Sequence, residues 1–111
     1  MILPFLIALA GTPDIPASAA VWAHMPTGAE IAAAYPARTD MPDTFDIDLR
    51  CRIIDAAGHV HCIVVGESPA GYGVGASAAS LFTRSARLDT HRTPGGAPGH
   101  VVIVHYHIRP A

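Results

Sequence analysis

The sequence predicts an α+β domain: a small antiparallel three-stranded sheet, made of a hairpin and a C-terminal strand, with two helical segments packed on one face. Three observations predict it. Residues 45–53, FDIDLRCRI, alternate apolar and charged positions, the period of a strand buried on one face and wet on the other. A second strand, residues 59–65, follows Asp55-Ala56-Ala57-Gly58, whose terminal glycine accepts the positive φ of a tight reversal. Residues 100–108 alternate again, with Val102, Val104, Tyr106 and Ile108 on one face and Val101, Ile103, His105 and His107 on the other. Helical patterns flank the hairpin, and a few antiparallel strands with helices on one face make an α+β layer pair.

The chain has 111 residues, so one domain is expected. Half of it is apolar and the net charge is −2, which excludes a basic surface for nucleic acid. So small a domain has a modest core, and a covalent staple would help it.

From the N-terminus, MILPFLIALAG is an apolar run too short to cross a bilayer, which takes about 20 residues. Ala17-Ser18-Ala19 then has the small-x-small form of a signal-peptidase site. The expected division is a cleaved leader, residues 1–19, and a domain, residues 20–111, without a transmembrane anchor. No Lys or Arg precedes the apolar run, and the alternative is an uncleaved N-terminus of a cytosolic protein. Thr27 with Glu30 three residues on forms a capping-box pattern for a short helix, residues 28–34, which Tyr35-Pro36 ends. Pro36 opens a second single turn, residues 37–41, stopped by Pro42.

Within the hairpin, pairing Ile54 with His59 places Ile53 opposite Val60 and Cys51 opposite Cys62. Directly opposed residues lie at a separation that a disulfide accepts. The register therefore permits a Cys51–Cys62 bond, and an oxidising compartment after export favours it. Two buried free thiols are the alternative. After a Gly/Pro-rich loop, residues 66–75, a helix is expected over 76–88. Its apolar face holds Ala78, Leu81, Phe82 and Ser85, and Arg84 and Arg87 lie in its last turns. Residues 89–99 are a polar connection.

Several pieces then resemble a family. They are Trp22 with Pro26; Tyr35-Pro36-Ala37-Arg38; the hairpin with Cys51 and Cys62 around Gly58; Glu67-Ser68-Pro69-Ala70-Gly71-Tyr72-Gly73-Val74-Gly75 ahead of an Ala-rich helix; and Gly96-Ala97-Pro98 before the last strand. In order and spacing, residues 22–108 resemble the TonB C-terminal domain, in its small, exported, paired-cysteine subgroup. The resemblance implies a periplasmic, non-catalytic protein-binding module. It implies capture of an extended peptide of a TonB-dependent outer-membrane receptor, or of another periplasmic protein, beside the last strand. The chain shows neither the membrane-spanning helix nor the Pro-rich spacer of an energy transducer, so force transduction is not part of the expectation.

The partner-strand edge expected from this is His100, Val101, Val102, Ile103, Val104, His105, Tyr106, His107 and Ile108, since only Arg109-Pro110-Ala111 follows. A proline at Ile103 or Val104, whichever N–H points outward, should abolish capture. The alternatives are an accessory domain that dimerises, and a histidine-based metal binder. His59 with His61 and His105 with His107 each form an i, i+2 pair that suits Zn²⁺ or Cu²⁺. In the TonB-like sheet the first strand separates the two pairs by roughly 9–10 Å, so no metal and no other cofactor is expected. Gly71-Tyr72-Gly73-Val74-Gly75 lacks the Gly-Lys-Ser/Thr ending of a phosphate loop. Ser68 and Ser77 lack a nucleophile-elbow context. Nothing places Glu67 beside Asp89, and Trp22 and Tyr35 read as packing residues. No catalytic residue is expected.

Overall fold

A computed structural model describes residues 13–34 and 42–109. Along the chain come a 3-10 turn, Ala17–Ala19; strand β1, Trp22–His24; helix α1, Gly28–Ala34; strands β2, Phe45–Ile53, and β3, Val60–Ser68; helix α2, Val74–Ser85; and strands β4, Arg87–Leu88, and β5, Val101–Ile108. The main sheet has the order β3-β2-β5, antiparallel throughout, with the first hairpin strand in the centre. The domain is thus a small α+β fold, as the alternation predicted.

The hairpin register is the expected one: Ile53 opposes Val60, Cys51 opposes Cys62, and the Ile54 N–H donates to the His59 carbonyl at 2.8 Å. Gly58 makes the reversal at φ +92°. The strand β3 runs past the expected end at Val65, because one extra residue bulges where the register shifts between Asp48 and Leu49. The bulge keeps Glu67 and Ser68 paired to β2, so these residues belong to the sheet and not to the loop.

One face of the sheet is dry. Phe45, Ile47, Leu49, Cys51 and Ile53 of β2, Val60 and Cys62 of β3, and Val102, Val104 and Ile108 of β5 are all buried. Helix α2 lies on this face with Val74, Ala78, Leu81 and Phe82 turned inward. Phe82 is central: its ring meets Trp22 edge-on at 5.9 Å and Tyr106 at 5.3 Å, geometry that aromatic quadrupoles favour. Trp22 is therefore a packing residue.

Helix α2 starts two residues earlier and stops three residues sooner than the periodicity suggested. At its start Gly73 takes φ +75° and offers no side-chain cap. A carboxylate from β3 substitutes: Glu67 Oε1 accepts the Gly75 N–H at 3.2 Å, next to the positive end of the helix dipole. A Cβ on Gly75 would crowd that oxygen, and a larger residue there would push the Glu67 carboxylate aside. At its end Ala86 is extended, and Arg87–Leu88 leave the helix to pair with Trp22–His24. Arg87 is thus a strand residue and not a helix-terminal cation. These two strands form a second, two-stranded sheet.

The expectation of two helical segments on the sheet face is corrected. Among the described residues that face carries one helix, α2, and the shorter α1 packs against α2. The capping box of α1 is as expected, with Glu30 Oε1 accepting the Thr27 N–H at 2.9 Å and Thr27 Oγ1 accepting the Glu30 N–H at 3.1 Å. Hydrogen bonds to the Glu30 carboxyl from the Thr27 backbone N–H and side chain hold it below its usual range. Tyr35 and the single turn expected over residues 37–41 lie outside the described residues. The connection 89–99 is ordered by Thr93, which is buried: its Oγ1 accepts the Val21 N–H at 2.9 Å and donates to the Val21 carbonyl at 3.3 Å.

A residue before residue 20, the expected domain start, also packs on the sheet. Ile15 is 5% exposed and belongs to the hydrophobic core. It pairs in parallel with Val102 at the outer edge of β5.

Candidate functional site

The covalent feature of the sheet is a disulfide between Cys51 and Cys62, whose Cα atoms are 4.0 Å apart. It follows from the hairpin: β2 and β3 place both residues inward and directly opposed. The Cys62 N–H points away from β2 and donates to Thr83 Oγ1 of α2 at 3.0 Å. No described helix is long and apolar enough to cross a membrane, and the disulfide fits an oxidising compartment.

The edge expected to take a partner is β5, and its backbone phase can now be assigned. The Ile53 N–H donates to the His100 carbonyl at 2.9 Å, and ladder groups alternate in direction along an antiparallel strand. Val102, Val104, Tyr106 and Ile108 therefore bond inward to β2, while Val101, Ile103, His105 and His107 point their N–H and C=O outward. His100 lies before the strand, with its carbonyl already used. Four of the nine residues named as the edge thus face the sheet, and a proline at Val104 would strike an inward bond.

Nor is the whole outward row open. The Ile15 N–H donates to the Val101 carbonyl at 2.7 Å, and the Ile103 N–H donates to the Ile15 carbonyl at 2.9 Å. Pro16 and the 3-10 turn after it lead the chain away from the edge. No other described residue bonds the outward groups of His105 and His107. The free part of the edge is therefore shorter than expected and lies at the C-terminal half of β5. The cover comes from upstream, in a segment whose single isoleucine between prolines gives no periodic signal.

The wet face behind this edge is built from cross-strand rows. Asp46 opposes His107, and Asp48 opposes His105. His107 Nδ1 stands 2.8 Å from Asp46 Oδ1, and His105 Nδ1 contacts Asp48 Oδ1 in the same way. With Ile47 and Tyr106 these four side chains line a shallow hollow of about 240 Å³. Further along, Arg50 opposes both Ile63 and Ile103, and its guanidinium meets the Asp14 carboxylate at 3.2 Å. Ile63 and Val65 are half exposed on the same face. The wet face thus combines acid–imidazole pairs at one end with arginines and exposed aliphatic groups at the other.

The chemistry available to this arrangement is limited by its order. Ser68, Asp46 and His107 share one row across the three strands. The carboxylate stands between the hydroxyl and the imidazole, whereas activation of a nucleophile needs the imidazole in the middle. The two histidine pairs are separated by β2, and among the described residues no three His, Cys, Asp or Glu side chains converge as a metal site. The His59 ring turns to Asp55 at 2.9 Å. Glu67 bonds the start of α2, while Asp89 Oδ1 accepts the N–H groups of His91 and Arg92 at 3.1 Å. These two carboxylates serve different turns. Gly71 and Gly73 take positive φ at the entry to α2, and the Ser77 N–H is held within that helix by the Gly73 carbonyl. Comparison with protein-family models, curated proteins and solved structures finds no match to this chain.

Proposed function

We propose that the domain is a non-catalytic, periplasmic protein-binding module that captures an extended peptide by strand addition at β5, in the manner of the TonB C-terminal domains that residues 22–108 resemble. The observation that supports it is the run His105–His107, whose outward backbone groups have no described partner. Such an edge is a template for an added strand. The Asp46–His107 and Asp48–His105 pairs stiffen the wet face beside it, so an incoming chain meets a strand already in place. A peptide from the periplasmic side of an outer-membrane receptor is the ligand class that the resemblance supplies.

The test uses proline, which removes a donor without adding bulk at an edge. In His105→Pro the outward N–H is lost, and peptide binding measured by calorimetry should disappear while circular dichroism stays unchanged. Val104→Pro breaks an inward bond to β2 and should unfold the domain. If the chain binds no receptor-derived peptide, with the Ile15 segment docked or detached, strand addition is wrong and an accessory role replaces it.

A further inference from the structure

We infer that residues 13–19 are a built-in occupant of the strand-addition edge, and that detaching them opens it. The inference rests on the proposed use of β5 and adds its regulation. Ile15 makes the contacts an added strand would make: one N–H given to β5, one C=O receiving from it, and a side chain closing the core beside Val102. Asp14 adds an ion pair across the sheet face to Arg50 at 3.2 Å. The occupant is nevertheless weakly built. It holds by a single bridge, its ion pair is exposed, and the 3-10 turn Ala17–Ala19 ends the pairing directly after it. While it is docked, a ligand has only His105 and His107 to pair with in full. Once it leaves, Val101 and Ile103 join them, and the place of Ile15 becomes an apolar notch that an aliphatic ligand side chain can refill.

The exit has a chemical route. Ala17-Ser18-Ala19 has the small-x-small form of a signal-peptidase site, and Ser18 is exposed. Hydrolysis of the Ala19–Ala20 bond by such a peptidase gives the water hydroxyl to the Ala19 carbonyl and its proton to the Ala20 nitrogen. Ile15 then departs with the leader side of the cut, and β1 stays with the domain.

The experiment compares the parent chain, full-length Ile15→Asp, and a chain beginning at Ala20. Amide hydrogen exchange is read at Ile103, whose N–H is bonded to Ile15, and at Val104, whose N–H faces β2. Undocking should speed exchange at Ile103 by about tenfold or more and leave Val104 protected. Affinity for a receptor-derived peptide should rise by about tenfold in both altered chains. Ile15→Asp keeps the chain at full length, so the result does not depend on the shortened form folding. Equal protection of Ile103 in all three chains overturns the cover. Equal peptide affinity in all three also overturns it, while leaving strand addition intact. Release of Ile103 without peptide binding by any of them supports the cover and rejects strand addition.

Discussion

The outer edges of β3 and β5 present the same kind of unpaired backbone, yet the chain treats them differently. Along residues 58–62, at the start of β3, the closure is continuous with the core. The Leu88 N–H donates to the Gly58 carbonyl at 2.9 Å, Arg87 bridges His59, and Thr83 takes the Cys62 N–H. The residues beside these contacts, Phe82, Ala86 and Leu88, are buried. At β5 the closure is one residue, Ile15, on a segment whose neighbours Pro13, Asp14 and Pro16 are exposed. A sheet edge sealed by elements of its own core is structural. The one sealed by a short segment is the edge proposed above to exchange its cover for another chain.

The contrast can be broken most strongly at Gly58. A Cβ there would stand 1.9 Å from the Leu88 carbonyl oxygen, at φ +92°. Neither the backbone conformation nor the space admits it, so Gly58→Ala should cost about 3 kcal/mol or more in chemical denaturation. A Gly58→Ala domain as stable as the parent would show that β4 does not seal the β3 edge. Thr83→Val probes the same edge more gently. It keeps the shape and leaves the Cys62 N–H without an acceptor, which should cost about 1–3 kcal/mol. An unchanged denaturation midpoint would mean that this N–H finds water and that the edge is looser than it looks.

A smaller effect concerns the turn that starts the β3 edge. The Asp55 carboxyl lies below its usual range because it accepts hydrogen bonds from the side chain and backbone of His59. A depressed carboxylate favours the folded turn above its unfolded pKa, and that contribution fades as pH falls through the folded value. Acidification below the ordinary carboxylate range should therefore shift the Gly58 and His59 amide resonances before the core unfolds. Asp55→Asn should remove this pH dependence, and its persistence in that variant would assign the titration elsewhere.

How much of this was legible in the sequence depends on whether a signal was local. The opposition of Cys51 and Cys62 followed from alternation on both sides of one glycine. The inward face of α2, with Ala78, Leu81 and Phe82, followed from helical period. Arg87 and Leu88 read as helix because both residue types favour helix. Their pairing with Trp22 and His24, which lie far away in the chain, decided otherwise. The bulge after Val64 left no mark, because one extra residue in a strand changes no composition. Ile15 is the extreme case. A lone isoleucine between two prolines has no period, and its meaning exists only once β5 is in place beside it.

Trp22, the single tryptophan of the chain, has a practical consequence. It sits on β1, a few residues after Ala19, with its indole against Phe82 at an interplanar angle of 82°. It therefore stays with the domain when the preceding segment is cut. Its emission reports the aromatic stack over the helix, which reaches β5 only through Phe82 and the inward ring of Tyr106. A protein whose intrinsic fluorescence is the same with and without residues 13–19 has kept its core. A ligand-induced change seen only by a probe placed near His105 can then be read as an event at the edge, on an undisturbed background.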